Sequence, residues 1–241
     1  LNYSYTEATV AADQVQLYKL IARQVAYLRG QTASFLPKPV TGVNGSGMHT
    51  NMSVSKDGVN LFWDEKGQDK LSAFGWDYIK RILSSARDLC LVLNPSVNAY
   101  RRLDPHYEAP NEIKSSPVDR GSMVRIPIGN SKSARIEVRS IAPDANPYLV
   151  IYTLLKTGLE GPLSANLNPE DILPDNINAA IADFEASDHI TQLLGEQVKE
   201  RFAGLKRGSA ERNPAILGSL IKSSEIQYHH EVYNQSLWNQ F

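Results

Sequence analysis

Ala134-Arg135-Ile136-Glu137-Val138-Arg139 alternates polar and apolar residues from Arg135 onward, and Met48-His49-Thr50-Asn51-Met52-Ser53-Val54 keeps the same period of two. Successive side chains of a strand point to opposite faces. Arg135, Glu137 and Arg139 therefore share one face and Ile136 and Val138 the other; likewise His49, Asn51 and Ser53 oppose Met48, Met52 and Val54. A third stretch, residues 121–127, places Met123 and Arg125 on one side and Val124 and Ile126 on the other. With the apolar faces packed on helices, the polar faces converge on a cavity holding a histidine, a carboxylate and several guanidinium groups. Such a cavity suits a divalent metal and an anionic substrate, because imidazole is a common metal ligand and carboxylate oxygen is the hard partner of magnesium or manganese. Alternation alone is also met by Glu137 pairing with Arg135 and Arg139 on an exposed strand face, and both readings stay open at this point.

Ahead of His49 lies Thr41-Gly42-Val43-Asn44-Gly45-Ser46-Gly47, where glycine permits close backbone approach to a ligand or a tight hairpin turn. It lacks the Gly-Lys-Ser/Thr of a Walker loop and leads into a strand rather than a helix. Outward from these segments, Val15, Leu17, Leu20, Ile21, Val25 and Leu28 recur at helical spacing and predict a helix over residues 11–29, stopped by Gly30. A second helical pattern covers residues 69–93 and ends at Asn94-Pro95; a third opens at Asn146-Pro147, a capping residue followed by a first-turn proline, and closes at 158–162. Residues 34–62 and 98–141 read as loop and strand. The chain opens Leu1-Asn2-Tyr3-Ser4-Tyr5, an alternation that reads as a strand already in progress, so residues upstream of it are expected. Residues 169–241 read as three or four helices, with 204–214 a loop carrying a solvated Lys206-Arg207. The expected class is α+β: a curved, mainly antiparallel sheet forming a polar cavity, packed by helices, with a helical C-terminal tail.

Composition narrows the partners. In 241 residues, 25 Lys and Arg face 26 Asp and Glu, so nothing global attracts nucleic acid or an anionic membrane, and phosphate recognition has to be local. Apolar runs such as residues 148–155 fall short of the roughly 20 residues of a membrane span. A single cysteine, Cys90, sits in Leu89-Cys90-Leu91-Val92-Leu93 and fits a core thiol in a reducing, cytoplasmic compartment.

Whole words then line up. Phe35-Leu36-Pro37-Lys38-Pro39 precedes Asn44-Gly45-Ser46-Gly47-Met48-His49; Asn98-Ala99-Tyr100-Arg101-Arg102-Leu103 and Tyr107-Glu108-Ala109-Pro110 follow. Then come Arg120 through Arg125-Ile126-Pro127, the strand 134–139, and Pro143-Asp144-Ala145-Asn146-Pro147-Tyr148. In order and approximate spacing these resemble glutamine synthetases from residue 1 to about residue 162, with a looser likeness beyond.

The resemblance implies a catalytic domain over residues 1–241, with the site-bearing core in 1–162 and a mainly helical region in 163–241. It implies that His49 and Glu137 are ligands of the metal (magnesium or manganese) that holds the ATP phosphates. Arg102, Arg120 and Arg139 match the arginines that bind glutamate and the transferring phosphoryl group, and Asn44 and Gly45 the loop approaching glutamate. Ser53, Arg125, Lys132 and Arg135 match positions around the nucleotide, and Glu108 the flap carboxylate of the ammonium pocket. The reaction implied is attack of the glutamate γ-carboxylate on ATP to give γ-glutamyl phosphate, followed by displacement of phosphate by ammonia. The family also has an N-terminal β-grasp domain that this sequence lacks. It bears the remaining acidic ligands upstream, shares its sites between subunits and assembles as a homo-oligomer, a dodecamer of stacked rings. The 241 residues alone are thus expected to be inactive.

Three departures stand out: Asn51 where the family commonly has His, His106 where Gly is frequent, and Asp119-Arg120-Gly121 for the more usual Asn-Arg-Ser. No match to the adenylylated tyrosine of some members is found. Alternatives are a γ-glutamyl ligase using an amine or polyamine, and a non-catalytic homologue.

Overall fold

The structure is a computed structural model that describes residues 2–104, 109–164, 168 and 170–211. A long helix, α1 (Ala8–Leu28), is followed by the glycine-rich segment and three short strands, β1 (Thr50–Met52), β2 (Ser55–Lys56) and β3 (Val59–Asn60). Helices α2 (Ala73–Ser84), α3 (Ala86–Leu93) and α4 (Val97–Arg102) lead to β4 (Glu112–Ser116), β5 (Ser122–Arg125) and β6 (Ile136–Val138). Four helices complete the described chain: α5 (Pro147–Glu160), α6 (Ile177–Ala186), α7 (Asp188–Leu194) and α8 (Glu196–Ala210).

The main sheet has the order β1-β6-β5-β4, with β1–β6 and β6–β5 antiparallel and β5–β4 parallel; β2 and β3 form a separate small hairpin. This is the expected α+β class. Register brings Asn51 opposite Glu137 and Glu137 opposite Arg125, so one polar row crosses three strands. Val138 and Val124, aligned in the next row, join Ile136 in a continuous apolar core with α2, α3, α5 and α6.

Several elements depart from expectation. Residues 2–7 form no strand; Tyr3 instead packs edge-on against Tyr18 of α1, ring centroids 5.8 Å apart. The helix predicted over 69–93 begins at Ala73, where Ser72 accepts a hydrogen bond from Gly75 N, and breaks at Ser85, whose φ and ψ of −108° and 14° leave the helical region. Ser84 Oγ turns back to donate to Lys80 O at 2.7 Å, a local bond that competes with regular helix. Residues 98–102, read as loop and strand, are helical within α4 because Ser96 caps it, accepting from Ala99 N. The expected loop at 204–214 is helix as far as Ala210. Buried Ala203 and the Phe184–Phe202 ring contact, at 5.5 Å, tie α8 to α6, and that packing outweighs the roughly 1 kcal/mol that each of two glycines costs a helix. Lys206-Arg207 therefore lies on a helix rather than a loop, and Arg207, still exposed to solvent, pairs with Glu185. Asn146 caps α5 ahead of Pro147 as predicted, accepting from Tyr148 N and Leu149 N. Cys90 is free and fully buried.

Candidate functional site

Glu137 sits in the middle strand of the polar row and is 5 % exposed. Its Oε1 lies 2.9 Å from His49 Nδ1, and its Oε2 accepts from Arg125 Nε. The exposed ion pair with Arg135 and Arg139 is thereby overturned: the carboxylate is buried, and its partners come from β5 and from the residue just before β1. Burial pushes the Glu137 carboxyl up, but the hydrogen bonds and charges of His49 and Arg125 outweigh it and hold it at about 2. Glu137 is therefore ionised throughout the neutral range. Met123 shares the face of Arg125, as the alternation requires, yet is fully buried, so apolar packing closes that end of the row.

The arginines form a second layer. Arg102, at the end of α4 and 6 % exposed, donates from Nη1 to Ser140 O at 3.2 Å and from Nη2 to Arg139 O at 2.8 Å. Its guanidinium is held by backbone carbonyls in the chain just after β6. Burial first and the neighbouring Arg139 second lower its pKa to about 10; it stays charged at neutral pH. Arg139 is likewise lowered by burial and then by Arg125 and Arg120, and its Nη1 donates to Arg120 O. Cations so placed repel one another, and an anion among them relieves that repulsion.

Glycines make this crowding possible. A Cβ on Gly45 would stand 2.5 Å from Pro37 O and 2.9 Å from Arg102 Cγ, and one on Gly47 would strike Arg102 Nη2 and the His49 ring. The glycine-rich segment is no hairpin turn: residues 43–49 are irregular, held by Ser46 N to Pro37 O at 2.7 Å and Met48 N to Ile141 O at 2.9 Å. Asn44 beside Gly45 is exposed.

Of the remaining predicted residues, Arg135 donates from Nε to Asn51 Oδ1 at 3.0 Å, so the asparagine standing in the usual histidine position holds this arginine. Lys132 is exposed in a turn whose Asn130 Oδ1 accepts from Lys132 N at 3.0 Å. Ser53 is half-buried just after β1. Arg120 lies in a tight turn where Asp119 Oδ1 accepts from Gly121 N and Asp119 Oδ2 meets Lys114 Nζ, both at 2.8 Å. A Cβ on Gly121 would come within 2.5 Å of Glu112 Oε2, the far end of a flexible side chain that can turn aside, so nothing in the structure explains glycine where serine is usual. Glu108, with His106, lies outside the described residues.

Sequence reasoning gave no role to Lys38 or Asn98. Asn98 Oδ1 accepts from Lys38 N at 2.6 Å and its Nδ2 donates to Lys38 O at 3.0 Å, while Lys38 Nζ donates to Val43 O. Together they pin the glycine-rich segment to α4. A lysine set between two prolines was the signal available in the sequence; that the side chain is only 8 % exposed is seen in the fold alone.

His49 and Glu137 fit a divalent cation that replaces the proton they share. Two ligands about 2.1 Å from an octahedral ion stand roughly 3 Å apart at adjacent corners, and the hydrogen-bonded Nδ1 and Oε1 are separated by 2.9 Å. Among the described residues no cluster of three or more His, Cys, Asp or Glu side chains is found, so the pair needs further oxygen ligands from elsewhere. No helix among the described residues is long and apolar enough to cross a membrane.

Known proteins bear the same arrangement of sequence. The family described as glutamine synthetase, catalytic domain, matches residues 1–215. A glutamine synthetase of Methanosarcina mazei is 39 % identical over 207 residues, covering 86 % of this chain and 46 % of its own length. One of Clostridium saccharobutylicum is 35 % identical over 218 residues, covering 82 % and 49 %. A solved structure described as a GmaS/ADP complex superimposes with a TM-score of 0.75 at 30 % identity, covering 86 % of this chain and 52 % of that one. The chain thus spans about half the length of the curated relatives it matches. With a family match over residues 1–215, most of the chain, the chain belongs to the glutamine synthetase catalytic-domain family.

Proposed function

We propose that this chain supplies the glutamate-binding and phosphate-binding part of a glutamine synthetase, which joins ammonia to the γ-carboxylate of glutamate with ATP. The observation that carries the reading is the meeting of His49 and the buried, ionised Glu137 at 2.9 Å, next to Arg125 and the arginine layer. A divalent metal, magnesium or manganese, bound by this pair would draw charge from the ATP phosphates. Arg139 and Arg120 would receive the glutamate carboxylates and the oxygens of the phosphoryl group in flight, a task for planar, permanently charged forks. Arg125 and Arg135, with Lys132 and Ser53, would border the nucleotide, and Asn44 and Gly45 would let backbone approach the amino acid. Arg102 has both terminal nitrogens on carbonyls, so its part is to fix the segment that carries Arg139 and to add positive potential at close range.

The glutamate γ-carboxylate oxygen then attacks the terminal phosphorus of ATP, ADP leaves, and ammonia displaces phosphate from the acyl carbon. Fixed cations suit the first step because charge spreads over the phosphoryl oxygens. Glu108 is proposed to accept the ammonium proton before the second. Against a scaffold without catalysis stands the cost of burying a carboxylate among cations, a feature that assembly alone does not require.

The test is ADP release by the complete protein with glutamate and either ammonium or putrescine. Release should require glutamate and run faster with ammonium, and Arg120→Ala should reduce it by about 10²-fold or more, as loss of a charge-stabilising donor does. Preference for putrescine would move the acceptor to an amine. Failure to bind ATP with magnesium would sink the reading.

A further inference from the structure

Beside Arg120, β4 and the turn that follows it gather three charges with no part in the reaction proposed above. Lys114 Nζ lies 2.9 Å from Glu112 Oε2 and 2.8 Å from Asp119 Oδ2, so one ammonium bridges a carboxylate of its own strand and a carboxylate of the turn. A compact ammonium with three donors can serve both at once. Backbone bonds fix the frame: Glu112 N donates to Gly121 O at 3.1 Å, Asp119 N to Ser116 Oγ at 3.0 Å and Gly121 N to Asp119 Oδ1 at 2.8 Å. The bond from Lys114, and after it the one from Gly121 N, holds the Asp119 carboxyl below its usual range, so it is ionised at neutral pH.

Stability is not what this group supplies. The side chains of Lys114, Glu112 and Asp119 are 32 %, 39 % and 42 % exposed, and ion pairs so open to water contribute little. Their weight lies in the charge they bring to the arginine layer. Asp119 immediately precedes Arg120, and its charge reaches Arg139, whose Nη1 donates to Arg120 O. Where the family commonly has a neutral asparagine, a full negative charge therefore borders groups whose proposed task is to bind anions. Glu112 adds a second. Two carboxylates would balance the charge of Arg120 and Arg139; with Lys114 present, three cations face two carboxylates, and an excess of positive charge remains for an incoming anion.

We propose that Lys114 is a positioning residue for the arginine layer: it holds Glu112 and Asp119 to itself, so that the charge of Arg120 and Arg139 acts on the substrate anion and not on these neighbours. The inference rests on the ligase reading of the site and adds to it a residue that works through Arg120 and Arg139. It also gives the aspartate of Asp119-Arg120-Gly121 a counterpart elsewhere in the chain, because a lysine two residues into β4 offsets the charge that the aspartate introduces.

Steady-state ADP release by the complete protein, with ATP, magnesium and ammonium fixed and glutamate varied, tests it. Lys114→Met removes the charge and keeps the stem; the KM for glutamate should rise about tenfold, as loss of one charge at close range allows. Adding Glu112→Gln and Asp119→Asn to Lys114→Met should return the KM to within about twofold of the wild type, because the amides keep the shape and the acceptor for Gly121 N while removing the charges that the lysine offsets. A KM unchanged by Lys114→Met would overturn the proposal. So would a rise that the two further substitutions do not reverse, which would make Lys114 a prop of the turn alone. Should Lys114→Met fail to fold, the triple variant decides: a KM near that of the wild type supports the role, and a raised one overturns it. Absence of glutamate-dependent ADP release by the wild type would instead overturn the ligase reading, and this inference with it.

Discussion

Glu137 concentrates the chemistry of the residue scale, since a carboxylate this buried is stable only while its cations stay beside it. Its folded pKa of about 2 lies below the ordinary value of 4.5. The sign follows: the stability it contributes is fully present above about pH 4.5 and is lost as pH falls through the folded value near 2. Glu137→Gln keeps the shape but leaves His49 and Arg125 facing a neutral amide, and should cost about 2 kcal/mol at pH 7. In urea titrations the difference from the wild type should narrow as the pH drops below 4.5; a difference constant down to pH 2 would mean that the carboxylate is not ionised by its neighbours. Gly45→Ala tests the crowding on the other side of the site. Its methyl would stand 2.5 Å from Pro37 O, backbone that has little room to yield, so a loss of about 1–3 kcal/mol in thermal melts is expected, together with weaker glutamate binding as Arg102 is displaced.

At the scale of elements, the amide of Asn98 is a two-way clasp between α4 and the segment that ends at His49. Asn98→Ala removes both bonds to Lys38 and should cost about 2 kcal/mol at roughly 1 kcal/mol each. Hydrogen exchange should quicken in residues 38–47 while β5 and β6 keep their protection; unchanged exchange in that segment would assign the pinning to Lys38 Nζ instead. Elements such as β1 and β6 were legible because a period of two leaves no choice about which side chains share a face. That is how His49, Glu137, Arg125, Arg135 and Arg139 could be grouped before any coordinates, whereas Arg102 and Arg120 came only from the family resemblance. What was not legible depends on distance along the chain. That Glu137 meets Arg125 rather than Arg135 is a matter of register between β5 and β6, which neither strand states alone. Helix α4 spans six residues, too few to display a helical period, and the break at Ser85 or the passage of α8 through Gly204 and Gly208 depends on neighbours that local propensity does not contain.

Across the whole molecule, the boundary near residue 162 that separates site-bearing words from a looser tail in the sequence is no boundary in the packing. Helix α3 is buried through Ala86, Leu89, Cys90, Leu91, Val92 and Leu93, with α5 on one side and α6 and α7 on another. The chain between α5 and α6 also returns to the sheet: Ile113 N donates to Asp171 O at 2.8 Å and Leu173 N to Asn111 O at 2.9 Å. Ending the chain at residue 162 would strip Ile177, Ile181, Phe184 and Ile190 from the core. Each such side chain is worth about 1.5–3 kcal/mol of burial, and their sum is comparable with the entire stability of a typical domain, about 5–15 kcal/mol. The shortened chain, although it keeps every described residue of the polar row, should therefore lack the near-ultraviolet circular dichroism of fixed aromatic packing and bind hydrophobic dye. The full chain should unfold in a single cooperative transition. Two separated transitions, or a shortened chain with sharp near-ultraviolet signals, would show instead that the sheet and its site stand without α6, and that the apolar surface of α3 is closed by something other than the helices that follow it.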